Sequence, residues 1–221
     1  MILTWVLIGF LALAAGITIR WVPRRFDGLG RARPFPRISV TLCLVVVVAC
    51  AVPLWTHARL ESRLERAASA VAGGPVTVHC QTFGQAFVDL GPELGWVRWG
   101  ADGVPERSTL IKREPCGDLK AWLGSSKDAP TLDQVIAVHI LTHETMHMVG
   151  LKNESQAECA AIQRDASMAV ALGATPAQGQ ALARRYWTEA YPRVRPEYAN
   201  GCGAGGTYDE GLDAPPWADA G

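Results

Sequence analysis

The sequence predicts an α+β protein: two N-terminal transmembrane helices, then a small domain with a short antiparallel sheet and a helical bundle. Three observations support this fold class. Two long apolar stretches lie within residues 1–55 of the 221-residue chain. Short alternating segments rich in Val, Thr and Trp follow, and such segments are typical of strands. The rest of the chain has helical spacing with recognisable capping residues.

Residues 2–20 and 38–55 are apolar enough to cross a bilayer, for which about 20 residues suffice. The first stretch lacks the basic start of a signal peptide and is followed directly by arginines, so we expect a retained span. Between the spans a single acid, Asp27, accompanies a group of arginines: Arg20, Arg24, Arg25, Arg31, Arg33 and Arg37. The positive-inside rule places this loop in the cytoplasm, near anionic lipid head groups. We therefore expect a cell-membrane protein whose C-terminal domain is extracytoplasmic.

Composition shifts divide the chain into four parts. Residues 1–55 form the membrane anchor, and residues 56–74 have the spacing of a juxtamembrane stalk helix ended by Gly-Gly-Pro. Residues 75–206 form the expected domain, and residues 207–221 are rich in Gly, Pro and Asp, which predicts a loose tail. The formal net charge is zero and no basic patch stands out after the anchor. We therefore expect no nucleic acid as a partner.

Alternation and capping signals place the elements of the domain. Strands are predicted at residues 76–80, 96–99 and 108–111. Helices are predicted at residues 117–123, from 132 to a stop at Gly150, from 154 to 172, and from the Thr175 capping box to about residue 190. The apolar pattern that begins at residue 132 has no Gly or Pro up to residue 149, which favours a buried helix.

The cysteines fit an oxidising compartment. Four lie in the expected extracytoplasmic domain: Cys80, Cys116, Cys159 and Cys202. An even number there predicts two disulfides, for which the sequence allows three pairings. We favour Cys80–Cys116 and Cys159–Cys202, because each bond ties neighbouring segments. The alternative role for Cys159, which follows Glu158, is a metal-bound thiolate.

Residues 143–147 read His-Glu-x-x-His on the buried helix. Positions i and i+4 share one helix face, so both imidazoles can reach one zinc ion at about 2.0–2.1 Å. Glu144 follows the first ligand and can act as general base on a metal-held water. His139 lies one turn earlier, too far along the axis to bind the same ion as His147. We expect His139 to be a core histidine or an outer partner of the ligands.

A third zinc ligand has to come from further along the chain. Glu154 and Glu158 are spaced i and i+4 on one face of the next predicted helix, with Asn153 as its N-cap. The segment resembles the N-E-x-x-x-D/E element of the thermolysin-like gluzincins. That resemblance implies Glu154 as ligand and Glu158 as the outer carboxylate that supports His143. Only six residues separate His147 from Glu154, fewer than in gluzincins, so Glu158 stays open as the alternative ligand.

The motif also resembles the opening H-E-x-x-H-x-x-G of the metzincins, which ends here at Gly150. The third metzincin histidine would fall at Asn153, which is a poor zinc ligand. A broader resemblance is to a group of membrane-anchored zinc metallopeptidases of actinobacteria, carried by residues 141–147, 154–163 and 202–206. This resemblance implies a zincin-like fold and metal site.

These features together predict a zinc-dependent hydrolase, most simply a metallopeptidase acting on a peptide or protein. The oxyanion that forms on the substrate during hydrolysis would need a hydrogen-bond donor, for which Tyr186, Tyr191 and Tyr198 are candidates. One alternative is a non-catalytic, metal-stabilised envelope module that binds a partner, with zinc fully coordinated by both Glu154 and Glu158. Another is a hydrolase of a different amide or ester, such as cell-wall material. The sequence does not indicate an oligomeric state.

The predicted topology can be tested by protease accessibility. Protease added to intact spheroplasts should digest the chain after residue 56, because the arginine-rich loop orients the spans with that part outside. Immunoblotting against the two termini measures the products. Protection of the C-terminal domain until the cells are lysed would reverse the assignment.

Overall fold

The computed structural model of the chain describes residues 2–86, 91, 93–194, 198 and 200–218. It divides into two compact units, residues 1–59 and residues 60–221. The first unit contains two apolar helices, and the second is a mixed unit of helices around a small three-stranded sheet.

The two helices of the first unit could span a membrane by length and composition. Helix α1 (Ile2–Trp21) and helix α2 (Arg37–Val71) lie in segments whose most apolar 18 residues have mean hydropathies of 2.4 and 2.5. The connecting loop is a tight hairpin, in which the Asp27 carboxylate accepts the backbone N–H groups of Leu29 and Arg31 at 2.9 and 2.8 Å. This arrangement agrees with two predicted spans joined by a short loop.

Helix α2 continues without interruption into the predicted stalk, residues 56–74, and ends at Val71. Leu64, Ala67 and Ala68 are at most 2% exposed and belong to the hydrophobic core of the second unit. The stalk is therefore a structural helix of the domain rather than a free spacer. Its small and apolar residues, spaced three and four apart, form the stripe that is buried. Gly73, with φ of +64°, follows its end as expected.

The sheet is mixed, so the predicted antiparallel sheet is wrong for one of its two pairs. Its strands are β1 (Thr77–Cys80), β2 (Gly95–Trp99) and β3 (Pro105–Ile111). Strand β3 lies between the others, antiparallel to β2 and parallel to β1, with Thr77 opposite Ser108 and Cys80 opposite Ile111. Alternation along a strand reports its buried face but not the direction of its neighbour, which explains the error.

The helices of the second unit follow the capping signals closely. They are α3 (Phe83–Ala86), α4 (Arg113–Gly124), α5 (Leu132–Met148), α6 (Glu154–Ile162), α7 (Asp165–Ala171) and α8 (Pro176–Arg185). Thr131 with Gln134 and Thr175 with Gln178 form capping boxes. A π-helical turn (Tyr186–Ala190) and a 3-10 turn continue α8.

Helix α5 is the centre of the domain. Thirteen of its 17 residues are buried, so it is enclosed by the sheet on one side and by helices on the others. The predicted helix from 154 to 172 is broken at Arg164 into α6 and α7. The break turns α7 back against α5 and places Asp165 in the interior.

Both predicted disulfides are present. Cys80 is bonded to Cys116, which ties β1 to α4, and Cys159 is bonded to Cys202, which ties α6 to the C-terminal segment. The bonded state of Cys159 rules out the alternative of a metal thiolate in this structure.

The described part of the C-terminal segment, residues 207–218, differs from the predicted loose tail. Trp217 is 8% exposed within the core, and Arg164 forms a two-pronged ion pair with Glu210. Gln163 also donates to the Tyr208 carbonyl at 3.0 Å. Composition predicted a loose tail because single anchoring residues carry little weight among Gly and Pro.

The structural role of α2 predicts that Leu64→Ala destabilises the domain. A buried Leu→Ala change costs about 2–5 kcal/mol, which for a domain of this size lowers Tm by roughly 5–15 °C. Thermal unfolding of the full chain in detergent measures the shift. Val104→Ala, at a residue that is 59% exposed, is the matched control. Equal Tm values for the two variants would contradict the core role of α2.

Candidate metal centre

Three acceptor atoms converge at the C-terminal end of α5. The Nε2 atoms of His143 and His147 lie 2.9 Å apart, and Glu154 Oε2 lies 3.2 and 3.3 Å from them. The two histidines come from successive turns of α5, and Glu154 is the first residue of α6. Gly150, with φ of +109°, allows the sharp turn that returns the chain to the helix it has just left.

The other ring nitrogens fix the tautomers. His147 Nδ1 lies 2.6 Å from the Leu151 carbonyl oxygen, and His143 Nδ1 lies 3.0 Å from Glu158 Oε2. Both neighbours accept, so both Nδ1 atoms donate, and each Nε2 presents a lone pair to the other. Only a cation between them, a proton or a metal ion, relieves this repulsion.

The triangle of acceptors fits a metal ion. Ligand atoms at about 2.05 Å from a tetrahedral zinc are roughly 3.3 Å from one another. The observed separations of 2.9 to 3.3 Å match this edge length. His143, His147 and Glu154 could therefore hold a metal ion, and their geometry leaves the fourth direction for another ligand.

Glu158 takes the outer position behind His143. Its Oε2 accepts from His139 and His143, both at 3.0 Å, and its Oε1 accepts from the Tyr186 hydroxyl at 2.7 Å. Burial alone would raise the pKa of Glu158, but the two imidazoles hold that pKa well below its ordinary range. Three of the four lone-pair sites of the Glu158 carboxylate are thus occupied by donors, and its Oε2 is fully used.

A second group of potential ligand atoms, from His139, His143 and Glu158, also lies within ligand distance. Its imidazole nitrogens are already donors to the carboxylate, so their lone pairs are not available there. The first group, with Glu154, is therefore the better metal site. The assignment of Glu154 as ligand stays a prediction, and the geometry favours it over Glu158.

His139 is not among the converging acceptors. It is 3% exposed and lies between Asp165 Oδ2 at 2.8 Å and Glu158 at 3.0 Å. Burial alone would lower the pKa of His139, but Asp165 and Glu158 outweigh it and raise the pKa to about 10. It is an outer partner of the site, one of the two roles considered from the sequence.

Glu144 is a buried carboxylate beside the metal ligands. It is 5% exposed and packs directly on Gly95, where an added Cβ would lie 2.9 Å from the Glu144 carboxyl carbon. Thr109 Oγ1 lies 3.4 Å from its Oε2, a long contact. Burial raises the pKa of Glu144, against the lowering effect of His143 and His147. A carboxylate with a raised pKa accepts protons more readily near neutral pH.

The acceptors and Glu144 face a cleft of about 520 Å³. One wall is a single face of α5, which carries Leu132, Ile136 and Ile140 before the two histidines. Strand β2 and the turns after α8 form the other walls. This volume is within the usual range for small-ligand and peptide sites.

The structure separates the three tyrosine candidates. Tyr191 stacks on Trp187 with ring centroids 4.7 Å apart and does not line the cleft. Tyr186 lines it, but its hydroxyl is bonded to Glu158. Tyr198 also lines the cleft, and its ring centroid lies 5.8 Å from that of His143.

Sequence reasoning missed Gly95, Thr109 and Asp165. A glycine inside a strand pattern can mark a close approach, and Gly95 opens β2 where Glu144 packs, so this signal was present. Thr109 and Asp165 are distant in sequence from the motif and carry no local signal of their contacts.

No protein-family model, curated protein or solved structure matches the chain. The likeness to actinobacterial metallopeptidases therefore remains an expectation from the motifs, and the site rests on its own geometry.

The site geometry predicts different effects for its two acidic residues. Glu154→Ala should weaken zinc binding by more than about 100-fold, because it removes one of three ligands. Glu158→Ala should weaken it by roughly 10- to 100-fold, because it removes the partner that orients His143. Competition with a chromogenic chelator measures both, with exposed Glu106→Ala as the control. A larger loss for Glu158→Ala than for Glu154→Ala would exchange the two roles.

Proposed function

We propose that the protein is a membrane-anchored, extracytoplasmic zinc-dependent hydrolase with a zincin-like domain, and that it acts as a metallopeptidase. One observation carries the proposal. Three acceptor atoms converge on the cleft, and a buried fourth group, Glu144, faces the same space without joining them. This is the division between metal ligands and general base that hydrolysis requires.

His143, His147 and Glu154 would hold the zinc. When bound, zinc supplies Lewis acidity, which polarises a carbonyl and acidifies water. Glu144 takes a proton from the attacking water and passes it to the leaving amine. Gly95 gives the Glu144 carboxylate the space to lie in this position, and the burial of Glu144 favours proton uptake. Tyr198, whose ring lies near the ring of His143 in the cleft, would donate to the oxyanion.

The walls of the cleft favour a peptide substrate. Among the described strands, β2 lies at the edge of the sheet and contributes Gly95, Val97 and Trp99 to the lining. An extended peptide can add to such an edge through backbone hydrogen bonds. The apolar face of α5 suits bulky apolar side chains beside the scissile bond. These features support a peptide over a sugar-rich cell-wall substrate, whose hydroxyl groups need polar partners.

The extracytoplasmic location rests on two independent features. The two apolar helices could span a membrane, with the arginines between them. The two disulfides of the domain are typical of oxidising compartments.

The proposed mechanism predicts that Glu144→Gln separates metal binding from hydrolysis. The amide keeps the shape but cannot take a proton, so zinc should stay near one per chain while cleavage falls by about 10²- to 10⁴-fold. Full-length protein in detergent, loaded with zinc, is assayed on a peptide library and its metal content is measured. Exposed Glu106→Gln is the control.

The same assay separates the enzyme from the rival role of a metal-stabilised binding module. Full zinc occupancy with no cleavage of any peptide by the wild-type protein would favour the module. Cleavage that Glu144→Gln leaves unchanged would show that another group is the base.

A further inference from the structure

A cluster of buried polar side chains lies behind His143, and the mechanism above uses none of its members. The members are His139, Glu158, Asp165 and Tyr186, each at most 4% exposed. They come from α5, α6, α7 and the π-helical turn after α8. Four separate elements therefore bring polar groups to one point in the core.

Each contact in the cluster has a defined direction. Asp165 and Glu158 accept through carboxylate oxygens, so His139 donates from Nδ1 to Asp165 at 2.8 Å and from Nε2 to Glu158 at 3.0 Å. The Tyr186 ring stacks on the His139 ring, with centroids 3.6 Å apart and planes 15° apart. The Tyr186 hydroxyl donates to the other oxygen of Glu158 at 2.7 Å.

The two oxygens of Glu158 are thus held separately, one by His139 and one by Tyr186. With both held, Glu158 cannot rotate away from His143 Nδ1, 3.0 Å from its Oε2. The direction of that hydrogen bond sets the tautomer and the ring plane of His143, and so the aim of its Nε2 lone pair. An apolar group could fill the same volume without the cost of burying charges, but it could not hold a carboxylate.

We propose that His139 and Tyr186 are positioning residues that act through Glu158 to aim His143 at the metal. Asp165 keeps the His139 ring turned so that its Nε2–H meets Glu158. The proposal rests on the metal site of the proposed function. It adds two residues, His139 and Tyr186, that lie outside the His-Glu-x-x-His motif.

The test uses a pair of amide substitutions at one position. A glutamine places its side-chain nitrogen near the Nε2 position of histidine, and an asparagine places its nitrogen near Nδ1. His139→Gln should therefore keep the bond to Glu158 and bind zinc within about 3-fold of wild type. His139→Asn should keep only the bond to Asp165 and bind zinc roughly 10- to 100-fold more weakly. Tyr186→Phe keeps the stacking and should weaken zinc by roughly 10-fold.

Two readouts are measured on the full-length protein in detergent. One is zinc affinity by chelator competition, and the other is the visible absorption spectrum of the Co²⁺-substituted protein, which reports ligand geometry. Thr145→Val is the control, since Thr145 is buried in α5 and its hydroxyl donates to the Leu141 carbonyl, away from the cluster. The control should lower Tm without changing either readout.

Equal zinc affinities for His139→Asn and His139→Gln, whatever their Tm, would reduce His139 to a packing residue and overturn the proposal. If His139→Asn does not fold, Tyr186→Phe decides, and unchanged affinity and spectrum would overturn it. If the zinc affinities change as predicted but the wild-type protein cleaves no peptide, the positioning role is supported and the proposed hydrolase function is contradicted. Absence of zinc binding by the wild type would overturn both.

Discussion

The convergence of His143, His147 and Glu154 on one point is the interaction on which the rest of the structure depends. Their three acceptor atoms lie 2.9 to 3.3 Å apart, and the two imidazole Nε2 atoms direct their lone pairs at each other. Without a cation this arrangement is repulsive, so the surrounding elements have to hold it in place. The fold can be understood as the set of contacts that does so.

Helix α5 supplies most of the polar groups of the site, because it brings two imidazoles and the Glu144 carboxylate into the core. The sheet covers the Glu144 side, where Gly95 of β2 gives close contact. Helix α6 returns after Gly150 and delivers both Glu154 and Glu158. The disulfide at Cys159, next to Glu158, fixes α6 to the C-terminal segment and so limits movement of the outer carboxylate. The second disulfide, Cys80–Cys116, ties strand β1 of the sheet to α4.

Local signals in the sequence predicted much of this arrangement. The helix that carries the motif, the capping box at Thr175 and the two disulfide pairings are all confirmed by the structure. Each depends on residues close in sequence or on a short choice among pairings. The structure brings together His143, His147 and Glu154, the three ligands that the sequence predicts, and metal binding itself stays a prediction.

Features that depend on distant contacts were not predictable in the same way. The parallel pairing of β1 with β3 leaves no trace in the alternation of either strand. Asp165 was indistinguishable from a surface acid, because nothing near it in sequence reveals the break that buries it beside His139. The sequence of the stalk did not reveal that Leu64 belongs to the core of the domain. An amphipathic helix has the same pattern whether it packs against its own domain or against a partner.

X-ray absorption at the zinc edge of the full-length, zinc-loaded protein is the most direct test of the central claim. We expect one zinc per chain with four light ligands at about 2.0–2.1 Å, two of them showing the outer-shell scattering of imidazole. No sulfur is expected, because the four cysteines of the domain form disulfides. A sulfur ligand at about 2.3 Å, or fewer than two imidazoles, would contradict the site described above.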